Sequence, residues 1–122
     1  MDKRHELGRR GEDLAAGHLE ALGYRLVARN HINPVGELDL VALDGETVVV
    51  VEVKCRSKAG RPPAEAVNSR KRRKLVQTAT LFLKLKHWEN RPARFDVVEV
   101  VSPPDAKPAI NHIPRAFDAE GF

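Results

Sequence analysis

Apolar and polar positions along this chain repeat with two different periods. From residue 5 to 22 the apolar side chains Leu7, Leu14, Ala15, Leu19 and Leu22 fall near helical spacing, and Gly23 follows where a helix commonly stops. Gly8, Gly11 and Gly17 each weaken that helix by about 1 kcal/mol relative to alanine, which predicts close packing at the glycines or an irregular first turn. From Tyr24 to Asn30 the period drops to two, with Tyr24, Leu26 and Ala28 on one side, as in a strand. A turn signal, Asn33 to Gly36, precedes a strict alternation from Glu37 to Leu43. Leu38, Leu40 and Ala42 take one face, and Glu37, Asp39, Val41 and Leu43 the other. Asp44-Gly45 is a strong hairpin signal, and the strand from Thr47 to Arg56 returns beside it, with Val48 to Val51 reading as buried on both faces.

A loop by composition, Ser57 to Pro63, leads to a helical segment from about Ala64 to Lys86, where Val67, Lys71, Leu75, Thr78, Ala79 and Phe82 share one face. Arg94 to Val101 reads as another strand, and the proline-containing tail holds a short edge strand around Ile110 and His112. The order helix, strand, hairpin, helix, strand predicts an α/β fold, a mixed β-sheet flanked by helices, in one domain over residues 1–122.

Composition adds exclusions. With 42% hydrophobic and 31% charged residues the chain is ordinary for a globular protein, and its apolar runs fall far short of the ~20 residues that span a bilayer. The charged N-terminus lacks the apolar core of a secretory signal, so a cytoplasmic location is expected. The single cysteine, Cys55, alternates with Val49, Val51 and Val53 and is expected to pack as a small apolar group. His5, His18, His31, His87 and His112 are scattered without metal-ligand spacing and are assigned to surface or packing. The net charge of +4 becomes more telling in its distribution: Arg70, Lys71, Arg72, Arg73 and Lys74 are five consecutive cations. Such a run fits a polyanionic partner and also fits a solvated helix face. At 5% aromatic residues, a base-stacking single-strand platform is disfavoured.

Candidate chemistry comes from the hairpin. Glu52 and Lys54 are two apart and point to the same side of their strand. Looping out Asp44-Gly45 sets Asp39 opposite Val50, and looping out Gly45-Glu46 sets it opposite Glu52. Both registers put Asp39, Glu52 and Lys54 on one face, whereas a three-residue loop breaks the cluster. Carboxylates facing across strands repel. A divalent cation held by Asp39 and Glu52 would offset that repulsion, and oxygen ligands suit Mg2+ (or Mn2+). Such an ion would polarise a phosphodiester and lower the pKa of a bound water, with Lys54 orienting that water or stabilising the charge building on the phosphate. Spacing alone fits equally well a solvated outer face of an edge hairpin, with Asp39 salt-bridged nearby.

The stretches "GRRGEDLAAGHLEALGY", "GELDLVA", "VVVVEVKCR", "PAEAV", "RFDVVEV" and "INHIPRAF" together resemble the YraN-type family of small bacterial proteins, itself similar to archaeal Holliday-junction resolvases within the PD-(D/E)XK nuclease superfamily. The resemblance covers nearly the whole chain and implies a restriction-endonuclease-like core. It makes Asp39, Glu52 and Lys54 the motif residues, with Leu38 where the superfamily often has proline. Glu12 matches an additional acidic residue used near the metal. Lys71 falls where a basic side chain can approach the phosphate, and a lysine snorkelling at the sheet's rim is the alternative. Glu37 and Arg56 become candidates for supporting the site, with surface salt bridges as their alternative.

What the resemblance implies is a metal-dependent, structure-selective endonuclease hydrolysing phosphodiester bonds in branched or flapped DNA. Arg70, Lys71, Arg72, Arg73, Lys74 and Arg56 would contact the nucleic acid, and a homodimer would make symmetric cuts. The alternative is a non-catalytic nucleic-acid-binding or scaffold module that retains the nuclease fold.

Overall fold

Gly45 fixes the geometry on which the hairpin turns. It adopts φ +59 and stands first in a two-residue Gly45-Glu46 loop closed by the pair Asp44↔Thr47. A positive φ at that position suits glycine and matches the twist of the flanking strands. The second of the two expected registers is therefore the one the molecule uses.

The computed structural model describes residues 3–58 and 68–117. Along the chain lie α1 (Lys3–Ala21), β1 (Arg25–Ile32), β2 (Glu37–Asp44), β3 (Thr47–Arg56), α2 (Ser69–Lys86), β4 (Ala93–Val101) and β5 (Ala109–Phe117). The strands form one sheet in the order β1-β2-β3-β4-β5, with β3 and β4 parallel and every other neighbouring pair antiparallel. This is the α/β, mixed-sheet architecture read from the sequence, with α2 as the crossover that joins the parallel pair.

The valine run forms the spine. Val48 to Val51 are at most 2% exposed. Val48 and Val50 pack with Leu38, Val41, Ala79 and Phe82 on the α2 face. Val49 and Val51 pack with Ala15, Ala16, Leu19, Leu40 and Ala42 on the α1 face. The two helices thus cover opposite faces, and burying each valine contributes about 1.5–3 kcal/mol.

Three elements depart from the expected pattern. The described part of α2 begins at Ser69, because Asn68 caps it, accepting the Lys71 N–H through its side chain at 3.0 Å. The expected start near Ala64, and Val67 with it, lies outside the described residues. In β2 the alternation is not strict, since Leu38 joins the α2-side core while Leu40 and Ala42 join the other. The β2–β3 register runs only as far as Leu40↔Val51, and beyond it Asp39 Oδ2 accepts the Val53 N–H at 2.9 Å. A side chain has replaced a backbone partner there, so the faces shift. Finally, β5 is a full nine-residue strand rather than a short one. Its register shifts between Phe95 and Val97, where Asp96 Oδ1 accepts the Arg115 N–H at 3.0 Å.

Candidate functional site

Glu52 and Lys54 continue the Val48/Val50 side of β3 and emerge where the core gives way to the first turns of α2. Their side chains are 17% and 20% exposed, and Glu52 Oε1 stands 3.6 Å from Lys54 Nζ. Asp39, fixed by its bond to the Val53 N–H, reaches the same place from β2. Glu37, Asp39, Glu52, Lys71, Lys74 and Leu75 line a cleft of about 230 Å³. Arg70, Lys71, Arg73, Lys74 and Gln77 line an open groove of about 470 Å³ that shares both lysines with it. Acidic cleft and cationic groove therefore adjoin.

The electrostatics show an acid pair that is incompletely neutralised. Burial pushes the Glu52 carboxyl up to about 7, and Asp39, a carboxyl in hydrogen-bond contact with it, pushes in the same direction. Lys54 and Lys71 oppose that rise without cancelling it. Burial also lowers the pKa of Lys54, as does its hydrogen-bond contact with Lys71. Two carboxyl groups and two amines thus converge in one partly desolvated place.

The donor set fits Mg2+ or Mn2+. Both acids offer oxygen, and such ions are commonly held by one or two carboxylates with waters completing the shell. Among the described residues no group of three or more His, Cys, Asp or Glu side chains is drawn together to hold an ion. Glu12 is near this pair without forming part of such a group. It lies on α1, its pKa is raised by burial and by the charges of Asp39 and Glu37, and the Asn30 side chain hydrogen-bonds it. Asn30, at φ 51, stands in β1 between the pairs Arg29↔Leu40 and His31↔Leu38, across from Asp39.

The cations divide. Arg70, Lys71, Arg73 and Lys74 share the groove. Arg72 turns toward β5, its guanidinium 5.3 Å from the centre of the Phe117 ring. Arg56 pairs with the buried Glu99 at 3.1 Å. Glu37 is exposed on the cleft's rim.

Asp96 and Glu99 escaped the sequence reading, as did the pairing of Arg56 with Glu99 and of His112 with Asp96. Asp96 is fully buried. It accepts from Arg94 Nε at 3.1 Å and from the Arg115 N–H, and it meets His112 Nε2 at 2.8 Å. Arg94 also reaches Tyr24 and Asp44, and His18 meets His112 at 3.1 Å. Glu99 accepts from Asn111 at 3.0 Å beside its Arg56 ion pair. The available signal was two acids inside the apolar run Phe95 to Val101, the same mark that drew attention to Glu52.

Comparison with known proteins places this geometry in a family. A family model described as Uncharacterised protein family UPF0102 matches residues 11–100. A UPF0102 protein of Pseudomonas syringae pv. syringae is 44% identical over 118 residues, spanning 95% of this chain and 96% of that protein. One from Pseudomonas aeruginosa is 42% identical over 121 residues, spanning 97% of each. One from Geobacter sulfurreducens is 47% identical over 114 residues, spanning 92% of this chain and 88% of that protein.

Proposed function

The chain belongs to the Uncharacterised protein family UPF0102, the family of the YraN-type resemblance, and we propose that it is a metal-dependent, structure-selective endonuclease acting on branched or flapped DNA. The observation that carries this reading is the half-buried, incompletely neutralised pair Asp39 and Glu52, with Lys54 beside Glu52 and Lys71 lining the same cleft, which adjoins a cationic groove. Asp39 and Glu52 would hold the ion, with Glu12 on α1 near enough to Asp39 to feel its charge. When bound, Mg2+ or Mn2+ supplies Lewis acidity at a phosphodiester and a water of lowered pKa. Lys54 orients that water and offsets the charge that builds on the phosphate, and Lys71 faces the same phosphate from α2. Glu37 tunes the rim.

The α2 helix supports a polyanionic partner. Its first turn carries no acidic residue. Arg70/Arg73, Lys71/Lys74 and Arg70/Lys74 are like-charge neighbours near the positive end of the helix dipole, each pair unfavourable by about 0.2–0.5 kcal/mol. Phosphates in the groove relieve that cost. In this reading Arg70, Lys71, Arg73 and Lys74 track the backbone, and Arg72 and Arg56 flank it. Paired cuts in a branched substrate call for a homodimer. No helix among the described residues is long and apolar enough to cross a membrane. The proposed activity on DNA belongs in the cytoplasm.

The test is incubation with four-way junctions, flaps, splayed duplexes and RNA in Mg2+ or Mn2+. Cleavage of a branched DNA is expected, falling at least 10²–10³-fold in Asp39→Ala and Lys54→Ala. No cleavage across that panel overturns the reading. The cationic groove by itself favours a second one, a non-catalytic binding module, which predicts DNA affinity unchanged in Asp39→Ala and no turnover.

A further inference from the structure

The approach of Glu12 to Asp39 is governed by a contact that neither residue makes. Gly11, the residue before Glu12, is buried, and a Cβ built on it would collide with Cys55 Sγ. It would also lie 3.3 Å from Cys55 Cβ and 3.9 Å from Val100 Cβ. At Gly11 the backbone of α1 rests directly on Cys55 of β3, and Cys55 Sγ lies 4.0 Å from the Gly8 carbonyl oxygen one turn earlier. Farther along, α1 is seated through Ala15, Ala16 and Leu19, each at most 3% exposed. The end of the helix that carries Glu12 is thus levelled by the Gly11–Cys55 contact, and the other end by side-chain packing.

Glu12 lies just beyond that contact. Its carboxyl meets the side chain of Asn30, which stands across from Asp39 in the β1–β2 ladder. Raising α1 by the width of a methyl group withdraws the carboxyl from Asn30 and from Asp39 together. Among the described residues Glu12 completes no three-ligand group.

We propose that Gly11 and Cys55 are positioning residues, a spacer between α1 and β3 that sets the reach of Glu12 and so controls whether a third carboxylate serves the ion at Asp39 and Glu52. This rests on the metal site proposed above. It assigns Gly11 a role through Glu12, and it makes the bulk of the side chain at position 55 the adjustable part.

Mn2+ affinity, measured by calorimetry on the full chain with a melting curve for every variant, tests it. Gly11→Ala should weaken Mn2+ binding about tenfold, the scale on which supporting contacts affect metal sites. Glu12→Ala should weaken it equally, and Gly11→Ala with Glu12→Ala together should lose no more than either. Adding Cys55→Ala to Gly11→Ala should restore most of the affinity, since the remaining 3.3 Å contact needs only a few tenths of an ångström of relief. Should Gly11→Ala not fold, Cys55→Val adds bulk from the β3 side and should give the same tenfold loss, again absorbed by Glu12→Ala. Wild-type protein that binds no Mn2+ overturns the metal site itself. Wild-type binding with Gly11→Ala or Cys55→Val unchanged overturns the spacer alone, as does a Gly11→Ala loss that adds to that of Glu12→Ala or is not restored by Cys55→Ala.

Discussion

Two valine-rich strands of this sheet are interrupted by acids, and the molecule treats them in opposite ways. In β4, Asp96 is fully buried yet surrounded by donors: the Arg94 guanidinium, His112 and the Arg115 N–H, with Tyr24 and Asp44 holding Arg94 in turn. Burial alone would lower the Arg94 pKa, and the hydrogen bond and charge of Asp96 raise it instead. In β3, Glu52 has Lys54 at 3.6 Å and a second carboxyl, Asp39, against it. A buried charge that belongs only to the architecture is fully paired, because an unpaired one costs several kcal/mol. A pair left partly uncompensated at an open cleft is where a ligand completes the balance. The two acids look alike in sequence and differ in what faces them.

That contrast can be broken by mutation, beginning with the largest effect. Asp96→Ala takes the buried acceptor from Arg94 Nε, His112 and the Arg115 N–H, leaving Arg94 only Asp44 and Tyr24, and should cost about 3–5 kcal/mol of stability. A fall of roughly 10 °C or more in the melting temperature would show it. Asp39→Ala removes one hydrogen bond and one repulsive neighbour, so its stability change should stay within about 1 kcal/mol. Equal losses in the two variants would erase the distinction between them.

Glu52→Gln sharpens the same contrast. The Glu52 carboxyl titrates near 7 when folded against an ordinary 4.5. Between those values the folded state binds the proton more tightly than the unfolded chain, so metal-free stability falls as pH rises through that window. Urea unfolding at pH 8 should therefore find Glu52→Gln more stable than wild type by about 1–3 kcal/mol, with the gain shrinking toward pH 4.5. A loss of stability at pH 8 would mean that the lysines already neutralise the site.

Metal binding runs in the other direction. An ion needs the deprotonated carboxyl, so Mn2+ affinity should climb about tenfold per pH unit below 7 and level off above it. A flat profile from pH 5 to 8 would remove Glu52 from the ligand set. The smallest effect concerns the groove, where Arg70→Gln with Arg73→Gln should reduce the slope of log affinity for DNA against log salt by about 2. An unchanged slope would place the DNA elsewhere.

The fold was legible because its signals are local. The valine run, the Gly45 turn and the spacing along α2 each depend on near neighbours in sequence, and β1 to β4 fall close to where periodicity puts them. The two-residue loop is one of the two that hairpin counting allows, and Asp39 meets Glu52, itself beside Lys54, through the break past Leu40↔Val51 rather than through strict alternation. The break at Asp39 was hidden because a side chain stands in for a backbone hydrogen bond, and nothing in the alternation announces that. The roles of Asp96, Glu99, His18 and His112 were hidden for a different reason. Their partners are long-range, as with His18 and His112, which lie 94 residues apart, and no spacing along the chain encodes such a meeting. The close approach at Gly11 lies between, since its glycines were visible and the sulfur they face was not.

Crystals soaked in manganese, with anomalous difference maps read at both acidic sites, test the central contrast most directly. One manganese peak between the carboxylates of Asp39 and Glu52, with none at Asp96, is the predicted result. A map without density at Asp39 and Glu52 while the cleft is open to solvent, or one with the ion at Asp96 instead, would contradict it.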